Sequence, residues 1–401
     1  ETSRESVRFQ IILDTAYQKT GKQVVVLIDE YDSPLQHSWK TPEHEGCTEV
    51  YRSVFSVLKL KGNVLRFVFI TGITKFTQIS LFSVLNHLTN ISFLPQFAPL
   101  CGITEEEMTV NFAPELEALA DKMECSIEEA HDKLKTYYDG YHFSDENMTD
   151  IYNPFSLLNA LSQLRLRNYW ISSGATSMLN KFVNNMELRL HDFEDCYIDK
   201  DTLETSDVIE GGAELFLYQT GYLTIKGFDE DGYSLGFPNE EVRKALYKAV
   251  LPALTQKDIT DIVSIQSRLM HSMNNGNLKE AKLCMKSLIS NVPYSNKKLA
   301  SMDMEERYRL IISTILNAIG CQVEVEHMLS TGRIDIVAST SRFIYVMELK
   351  LANNGGINAA EKQMIDNGYL KPFLADDRKV IGLAVELDDM GKGLIDWKEV
   401  K

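Results

Sequence analysis

The sequence predicts an α/β protein with more than one domain, and three observations carry that prediction. Residues 24–28 form an apolar run ending in Asp29-Glu30, which is typical of a buried parallel strand. Residues 332–337 and 343–350 have the β-branched and aromatic composition of two strands joined by a short turn. Segments with helical spacing of apolar residues separate these strands, and 401 residues exceed the length of one ordinary domain.

The first predicted strand follows a helix-like segment at residues 7–17 and ends in two carboxylates. In this position Asp29 can hold the Mg²⁺ of a bound nucleotide through water, and Glu30 can orient or deprotonate the attacking water. The alternative is a strand that ends in Asp-Glu by chance.

A second apolar strand is predicted at residues 65–72, and it ends in small polar residues. Its end would place Thr71 or Thr74 near a γ-phosphate as a sensor. The alternative is a transition from strand to loop that requires only Gly72.

The middle of the chain is predicted to be mainly helical, beginning at residues 104–134 with carboxylates in the first turn. The aromatic loop at residues 137–154 would stack on bases or, as we favour, pack against the core. Residues 215–238, followed by a helix, suggest a winged-helix module with a hairpin. Three acids at the hairpin tip would repel phosphate, so we favour a structural or protein-contact role: Asp229, Glu230 and Asp231.

The second pair of strands carries the clearest chemistry. With a turn at Ser341-Arg342, Asp335 lies opposite Glu348, and strand alternation places both on one face with Lys350. Facing carboxylates repel each other unless a divalent cation lies between them, and Mg²⁺ is commonly held by one or two carboxylates. The alternative is an edge hairpin with a solvated, charged end.

The order around this hairpin is helix 305–319, strand 322–329, the hairpin, helix 358–369 and strand 379–385. Order and residues resemble the PD-(D/E)xK nuclease superfamily, in the version fused behind an AAA-like ATPase in bacterial proteins. The resemblance implies a restriction-endonuclease-like fold and a metal-dependent phosphodiesterase site. Asp335 and Glu348 would bind the metal, and Lys350 would position or activate water and steady the phosphate. The resemblance also assigns supporting residues on the two helices: Glu305, Gln363 and Tyr369.

Four N-terminal segments resemble the AAA-ATPase-like domain that precedes this nuclease: Val-Leu-Ile-Asp-Glu-Tyr-Asp-Ser-Pro-Leu, Phe-Ile-Thr-Gly-Ile-Thr-Lys-Phe, Tyr-Asp-Gly-Tyr-His-Phe-Ser and Tyr-Asn-Pro-Phe-Ser-Leu-Leu. The resemblance makes Asp29 and Glu30 Walker B residues and Thr71 a sensor, and it gives Lys75 the place of a common arginine. No Gly-x-x-x-x-Gly-Lys-Ser/Thr phosphate loop occurs, and in the family this loop lies upstream of the Walker B strand. We therefore expect an N-terminally truncated chain that binds ATP poorly, with ATP a cofactor of the full-length protein.

Three domains are predicted. Residues 1–135 would be a truncated P-loop-type AAA-like core, residues 136–292 a helical and winged-helix-like region, and residues 299–401 the restriction-endonuclease-like α/β domain. The polar, proline-containing residues 291–298 would be the linker.

The formal net charge of −16 argues against binding nucleic acid through bulk electrostatics. A metal and a local basic patch would have to supply the phosphate contacts: Arg333, Lys350, Lys362, Lys371, Arg378 and Lys379. Six cysteines without a close pair argue against a disulfide scaffold or a structural zinc site, and they fit a reducing cytoplasm. No signal peptide or membrane-spanning run is predicted.

The sequence favours a Mg²⁺- or Mn²⁺-dependent nuclease acting on nucleic acid, with DNA preferred, tethered to an AAA-like ATPase remnant. A second hypothesis is a regulatory ATPase whose nuclease-like domain binds a partner or nucleic acid without cutting. A third is a purely structural fragment. Analogy with AAA-like ATPases also suggests a homo-oligomer.

Overall fold

The computed structural model describes residues 4–38, 41–73, 87–170, 179, 196–205, 212–255, 259–290 and 303–400. The chain is a mixed α/β protein, as predicted, and it divides into two compact units. Unit 1 comprises Glu1–Lys135, Asp139–Leu157 and Asp195–Pro238. Unit 2 comprises Thr136–Tyr138, Leu158–Glu194 and Asn239–Lys401.

Unit 1 begins with the two apolar runs that the sequence identified as strands. Its first elements are helix α1 (Arg4–Thr20), strand β1 (Val24–Ile28), helices α2 (Ser33–Ser38) and α3 (His44–Leu60), and strand β2 (Leu65–Ile70). β1 and β2 pair in parallel, with Ile28 opposite Ile70. Parallel neighbours need a crossover connection, which α2 and α3 provide. The carboxyl ends of the two strands therefore lie side by side.

The middle of the chain contains short helices and two small antiparallel sheets, in the order β3 (Ile103–Thr104), α4 (Glu105–Asn111), α5 (Ala113–Met123), α6 (Ile127–Tyr138), β4 (Ile151–Tyr152), α7 (Pro154–Gln163), β5 (Cys196–Asp199), α8 (Lys200–Thr205), α9 (Gly212–Gln219), β6 (Thr224–Phe228) and β7 (Gly232–Gly236). Capping boxes at Thr104 and Ser126 begin α4 and α6. The predicted hairpin is present as β6 and β7. It is extended by β5, which pairs with β7 and was not predicted.

Unit 2 contains the helices α10 (Glu240–Thr255), α11 (Ile259–Asn274), α12 (Leu278–Leu288), α13 (Met304–Ala318) and α14 (Gly356–Asp366), and the strands β8 (Gln322–Leu329), β9 (Gly332–Ser339), β10 (Phe343–Leu351), β11 (Lys379–Leu387) and β12 (Leu394–Val400). The five strands form one sheet in the order β12-β11-β10-β9-β8. Only β10 and β11 are parallel. The predicted order of helix, three strands, helix and strand is confirmed, and the five-stranded sheet is consistent with a restriction-endonuclease-like domain. β12 was not predicted, because three charged residues among its seven obscure the apolar alternation.

The centre of the sheet is buried in unit 2. Every residue of β10 except Lys350 is buried, which explains why the sequence of this strand is apolar on both faces. Val337 and Val346 share a core cluster with Ala360 and Met364 of α14. This packing fixes the strands from which the charged residues of the site extend.

Several predictions cannot be placed on this fold. Residues 291–298, Thr74 and Lys75 lie outside the described residues. The boundaries of the three predicted domains remain a prediction, as does the winged-helix assignment. Among the described residues, no helix is both long and apolar enough to cross a membrane.

Candidate active site

The hairpin of β9 and β10 has the register that the sequence predicted. Val337 pairs with Val346 and Ile336 with Met347, and this is the last paired position of the ladder. Continued by one residue, the same register places Asp335 opposite Glu348. The turn closes where Thr340 N–H donates to the Phe343 carbonyl at 2.8 Å. The Thr340 hydroxyl also accepts from Phe343 N–H, and this local contact favours a tight turn.

Asp335 is held by the backbone of the neighbouring strand and by one arginine. Its side chain is 7% exposed. Oδ2 accepts from the Leu349 backbone N–H at 2.8 Å, and Oδ1 accepts from Arg309 Nη1 at 3.1 Å. The carboxylate is therefore fixed in orientation beside Glu348, and its remaining lone pairs are available to a ligand.

Glu348 is more deeply buried than Asp335, with a side chain only 1% exposed. Oε1 accepts from Lys350 Nζ at 3.0 Å, whereas Oε2 is buried and has no hydrogen-bond partner in the described part of the chain. Burial, followed by the charge of Asp335, raises the pKa of the Glu348 carboxyl, although Lys350 acts in the opposite direction. The positive charge of Lys350 therefore does not offset the cost of burying the Glu348 carboxylate beside Asp335.

Lys350 joins the hairpin to helix α13. Its Nζ lies 3.0 Å from Glu348 Oε1 and 3.4 Å from Glu305 Oε1. Burial acts to lower the pKa of Lys350, but the charges of Glu348, Asp335 and Glu305 outweigh it, so that the pKa is raised. The ammonium group is consequently a fixed positive charge between two carboxylates.

Helix α13 supplies Glu305 because its start is set by a cap. The Asp303 side chain accepts from Glu306 N–H at 2.8 Å, which places Glu305 in the first turn of the helix. The structure thus brings together four residues that the sequence or the resemblance assigned to the site: Asp335, Glu348, Lys350 and Glu305.

Gln363 does not join this group directly. Within the described residues, the Gln363 side chain makes one hydrogen bond, in which Nε2 donates to the Tyr369 hydroxyl at 3.1 Å. The same hydroxyl accepts from Asn367 Nδ2 and donates to the Arg333 carbonyl at 2.9 Å. Gly332 permits this approach, since a Cβ there would lie 2.8 Å from the hydroxyl. Gln363 and Tyr369 therefore hold the start of β9, two residues before Asp335.

The N-terminal carboxylates lie where the parallel strands end. Asp29 Oδ1 accepts hydrogen bonds from the Thr71 hydroxyl and from Glu30 N–H. Glu30 has a left-handed backbone (φ 50°), which turns the chain directly after β1. Asp29, Glu30 and Thr71 thus meet at one edge, as predicted. Glycine is required at position 72 for a steric reason, because a Cβ there would lie 2.4 Å from the Tyr31 ring.

Comparison with known families matches both ends of the chain. Residues 303–397 match the model described as the PD-(D/E)XK nuclease superfamily, and residues 1–82 match the model described as a predicted AAA-ATPase, AAA-ATPase-like. The chain carries an AAA-ATPase-like domain and a PD-(D/E)XK nuclease superfamily domain. It is therefore a nuclease- and ATPase-like protein. PD-(D/E)XK nucleases typically use divalent metal ions, and the superfamily suggests nucleic-acid binding.

A relative from Azotobacter chroococcum mcd 1 is described as an uncharacterized protein in the vnfD 5' region. It is 28% identical over 408 residues, which cover 96% of this chain and 76% of the relative. No solved structure matches the chain.

Two residues of the nuclease superfamily domain were missed by the sequence analysis. Arg309 contacts Asp335 directly, and it lies one helical turn after Glu305, so an i, i+4 search of α13 would have found it. The second is Glu326, whose Oε1 forms an ion pair with Arg309 Nη2 at 2.9 Å. Its position depends on a left-handed backbone (φ 57°) within β8, which no sequence pattern indicates.

Tyr369→Phe is expected to destabilise the domain by about 1–3 kcal/mol, because it removes the partner of the Arg333 carbonyl and of two amide donors in part-buried hydrogen bonds. Urea denaturation measures the free energy of unfolding. Tyr345→Phe is the matched control, since within the described residues that hydroxyl makes one hydrogen bond, to the Met273 carbonyl. An equal or smaller loss for Tyr369→Phe would contradict this role.

Proposed function

We propose that the C-terminal domain hydrolyses phosphodiester bonds of nucleic acid, with DNA as the preferred substrate. One observation carries the proposal. Glu348 Oε2 is buried beside Asp335 without a hydrogen-bond partner among the described residues. An unsatisfied carboxylate oxygen in a buried position is costly, and a bound cation would satisfy it.

The donor set fits Mg²⁺ or Mn²⁺. Both side chains offer carboxylate oxygens, the ligands that these hard cations prefer. The described residues contain no group of three or more His, Cys, Asp or Glu side chains arranged for a metal. Mg²⁺ does not require one, since it keeps waters and phosphate oxygens in its remaining positions.

Each residue of the site has its own role in the proposed hydrolysis. A divalent cation held by Asp335 and Glu348 would supply Lewis-acid and template chemistry when bound. Lys350 carries a fixed positive charge, so it donates hydrogen bonds to the attacking water or to a phosphate oxygen and stabilises the developing negative charge. Glu305 orients the lysine through its carboxylate. Gln363 and Tyr369 support the strand that carries Asp335.

The test is cleavage of labelled plasmid and single-stranded DNA with Mg²⁺, with Mn²⁺ and with EDTA. We expect metal-dependent cutting by the wild type, loss of cutting in Lys350→Ala, and no change in Lys398→Ala. Lys398 is a matched control because it is half-exposed and paired with Glu361 in the same domain. Absence of cutting by the folded wild type with either metal would contradict the proposal and favour a domain that binds without cutting.

We also propose that cleavage is coupled to nucleotide binding by the AAA-ATPase-like domain. The contact between Asp29 and Thr71 at the edge of the parallel strands supports this proposal. In a nucleotide site Asp29 would hold the Mg²⁺ and Thr71 would sense the γ-phosphate, and the contact brings these two residues together. ATP is expected to change the cleavage rate of a protein that also has a phosphate loop, and Asp29→Asn is expected to remove the effect. An unchanged response in Asp29→Asn would contradict the coupling.

A further inference from the structure

A chain of ion pairs lies directly beside the two carboxylates. Glu326 Oε1 lies 2.9 Å from Arg309 Nη2 and 3.0 Å from Arg333 Nη1, so it forms an ion pair with each arginine. Arg309 also reaches Asp335 Oδ1 at 3.1 Å. We refer to Arg309, Glu326 and Arg333 as the arginine clamp. Two guanidinium groups and one carboxylate give the clamp a net charge of +1.

The backbone is distorted at the centre of the clamp. β8 pairs with β9 on both sides of Glu326, at Val325 with Ile336 and at His327 with Ile334, but Glu326 and Asp335 do not pair. Glu326 instead has φ 57°, a conformation that is costly for a residue with a side chain. This turn brings the Glu326 carboxylate to both arginines.

Stability alone does not account for this arrangement. Glu326 is 38% exposed and Arg333 is 50% exposed, and ion pairs in such positions contribute little to stability. The left-handed backbone costs at least as much as such a pair contributes. Strained backbone that persists beside catalytic residues is characteristic of functional sites.

Arg333 has donors left for a ligand. Its Nη1 lies 3.0 Å from Glu326 Oε1, and this is the one ion pair of the guanidinium group within the part of the chain that the structure describes. Arg333 precedes Asp335 by two residues on the same strand, so the two side chains share a face about 6.6 Å apart. A half-exposed arginine whose guanidinium group has N–H donors available is well suited to bind a phosphate.

We propose that Arg333 binds a backbone phosphate of the nucleic-acid strand next to the phosphate that is cut, and that Glu326 and Arg309 are positioning residues for it. The proposal rests on the proposed nuclease function. The ligand is a phosphodiester, which DNA and RNA share. The distorted β8 would then serve to aim Arg333 along the substrate strand while Arg309 holds Asp335.

Binding without cutting tests the subsite. Fluorescent 12-nucleotide DNA and RNA of one sequence are titrated with Glu348→Gln protein in Mg²⁺ at several salt concentrations. This background retains Asp335, Lys350 and the clamp. Adding Arg333→Gln is expected to raise Kd about 10-fold and to reduce the salt slope of log Kd by about 0.7, the value for one phosphate contact on a single strand. Adding Glu326→Gln is expected to raise Kd by a smaller factor.

Arg268→Gln is the matched control, because Arg268 is an exposed arginine paired with a glutamate, Glu280, elsewhere in unit 2. Its Kd is expected to remain within about twofold of the background. A Kd and salt slope unchanged by Arg333→Gln, or changed equally by Arg268→Gln, would overturn the subsite, as would absence of binding. Cleavage by the wild type is scored separately, so a failed subsite is distinguishable from a failed nuclease. A weaker affinity for DNA alone, or for RNA alone, in Arg333→Gln would assign the subsite to that substrate.

Discussion

Asp335→Asn is expected to lower metal-dependent cleavage by about 10³-fold, because the transition state loses several kcal/mol of metal-mediated charge stabilisation. Asparagine retains an oxygen for the Leu349 backbone N–H, so the register of β9 and β10 should survive. Arg309 retains its contact with Glu326. The substitution thus removes a negative charge from the site with little change in its packing.

The measurement is the initial rate of plasmid nicking in Mg²⁺, with circular dichroism to confirm the fold. Asp396→Asn is the matched control, since the Asp396 side chain is half-exposed on β12 and paired with Lys282. It should cut at the wild-type rate. A nicking rate for Asp335→Asn within about tenfold of the wild type would contradict the role of Asp335 as a metal ligand.

Glu348→Gln is expected to stabilise the metal-free protein above neutral pH. Burial and the charge of Asp335 raise the pKa of Glu348 from 4.5 to about 7 in the folded protein. Between these values the folded state holds a proton that the unfolded chain has lost, so the free energy of unfolding falls as pH rises. The stabilisation that comes from protonated Glu348 is fully present below pH 4.5 and is lost as the pH rises through about 7. Glutamine does not titrate, so the variant should avoid the loss.

Urea denaturation in EDTA at pH 4.5 and pH 8 measures this difference. The variant should exceed the wild type by on the order of 2 kcal/mol at pH 8, and the advantage should be small at pH 4.5. Mg²⁺ should then stabilise the wild type more than the variant, by mass action. Glu361→Gln, a partly exposed change on α14, controls for lost charge. A variant less stable than the wild type at pH 8 would indicate that Glu348 is a structural ion pair.

The sequence predicted the C-terminal domain well because its information is local. Alternation of apolar residues located β9 and β10, and the turn at Ser341-Arg342 fixed the register that places Asp335 opposite Glu348. The same local signals located β1 and β2, the two carboxylates that follow β1, and Thr71, which follows β2. A strand whose pattern is broken by charges, such as β12, could not be found in this way.

The sequence could not predict how the charges are distributed around the site. Arg309 contacts Asp335 from α13, and Glu326 contacts Arg309 from β8. The left-handed backbone of Glu326 has no compositional signature. The expected support from Gln363 stays a prediction, and the sequence did not show that its contact would be the Tyr369 hydroxyl at the start of β9. These contacts depend on tertiary packing, which a single sequence does not encode in a readable pattern.

Direct Mn²⁺ binding tests the central claim, that Asp335 and Glu348 form one metal site. Electron paramagnetic resonance of free Mn²⁺ is recorded during titration with the wild type, Asp335→Asn, Glu348→Gln and the control Asp396→Asn. We expect one Mn²⁺ site in the wild type and in the control, and a loss of affinity of at least about tenfold in both site variants. Equal Mn²⁺ affinity in all four proteins would contradict it.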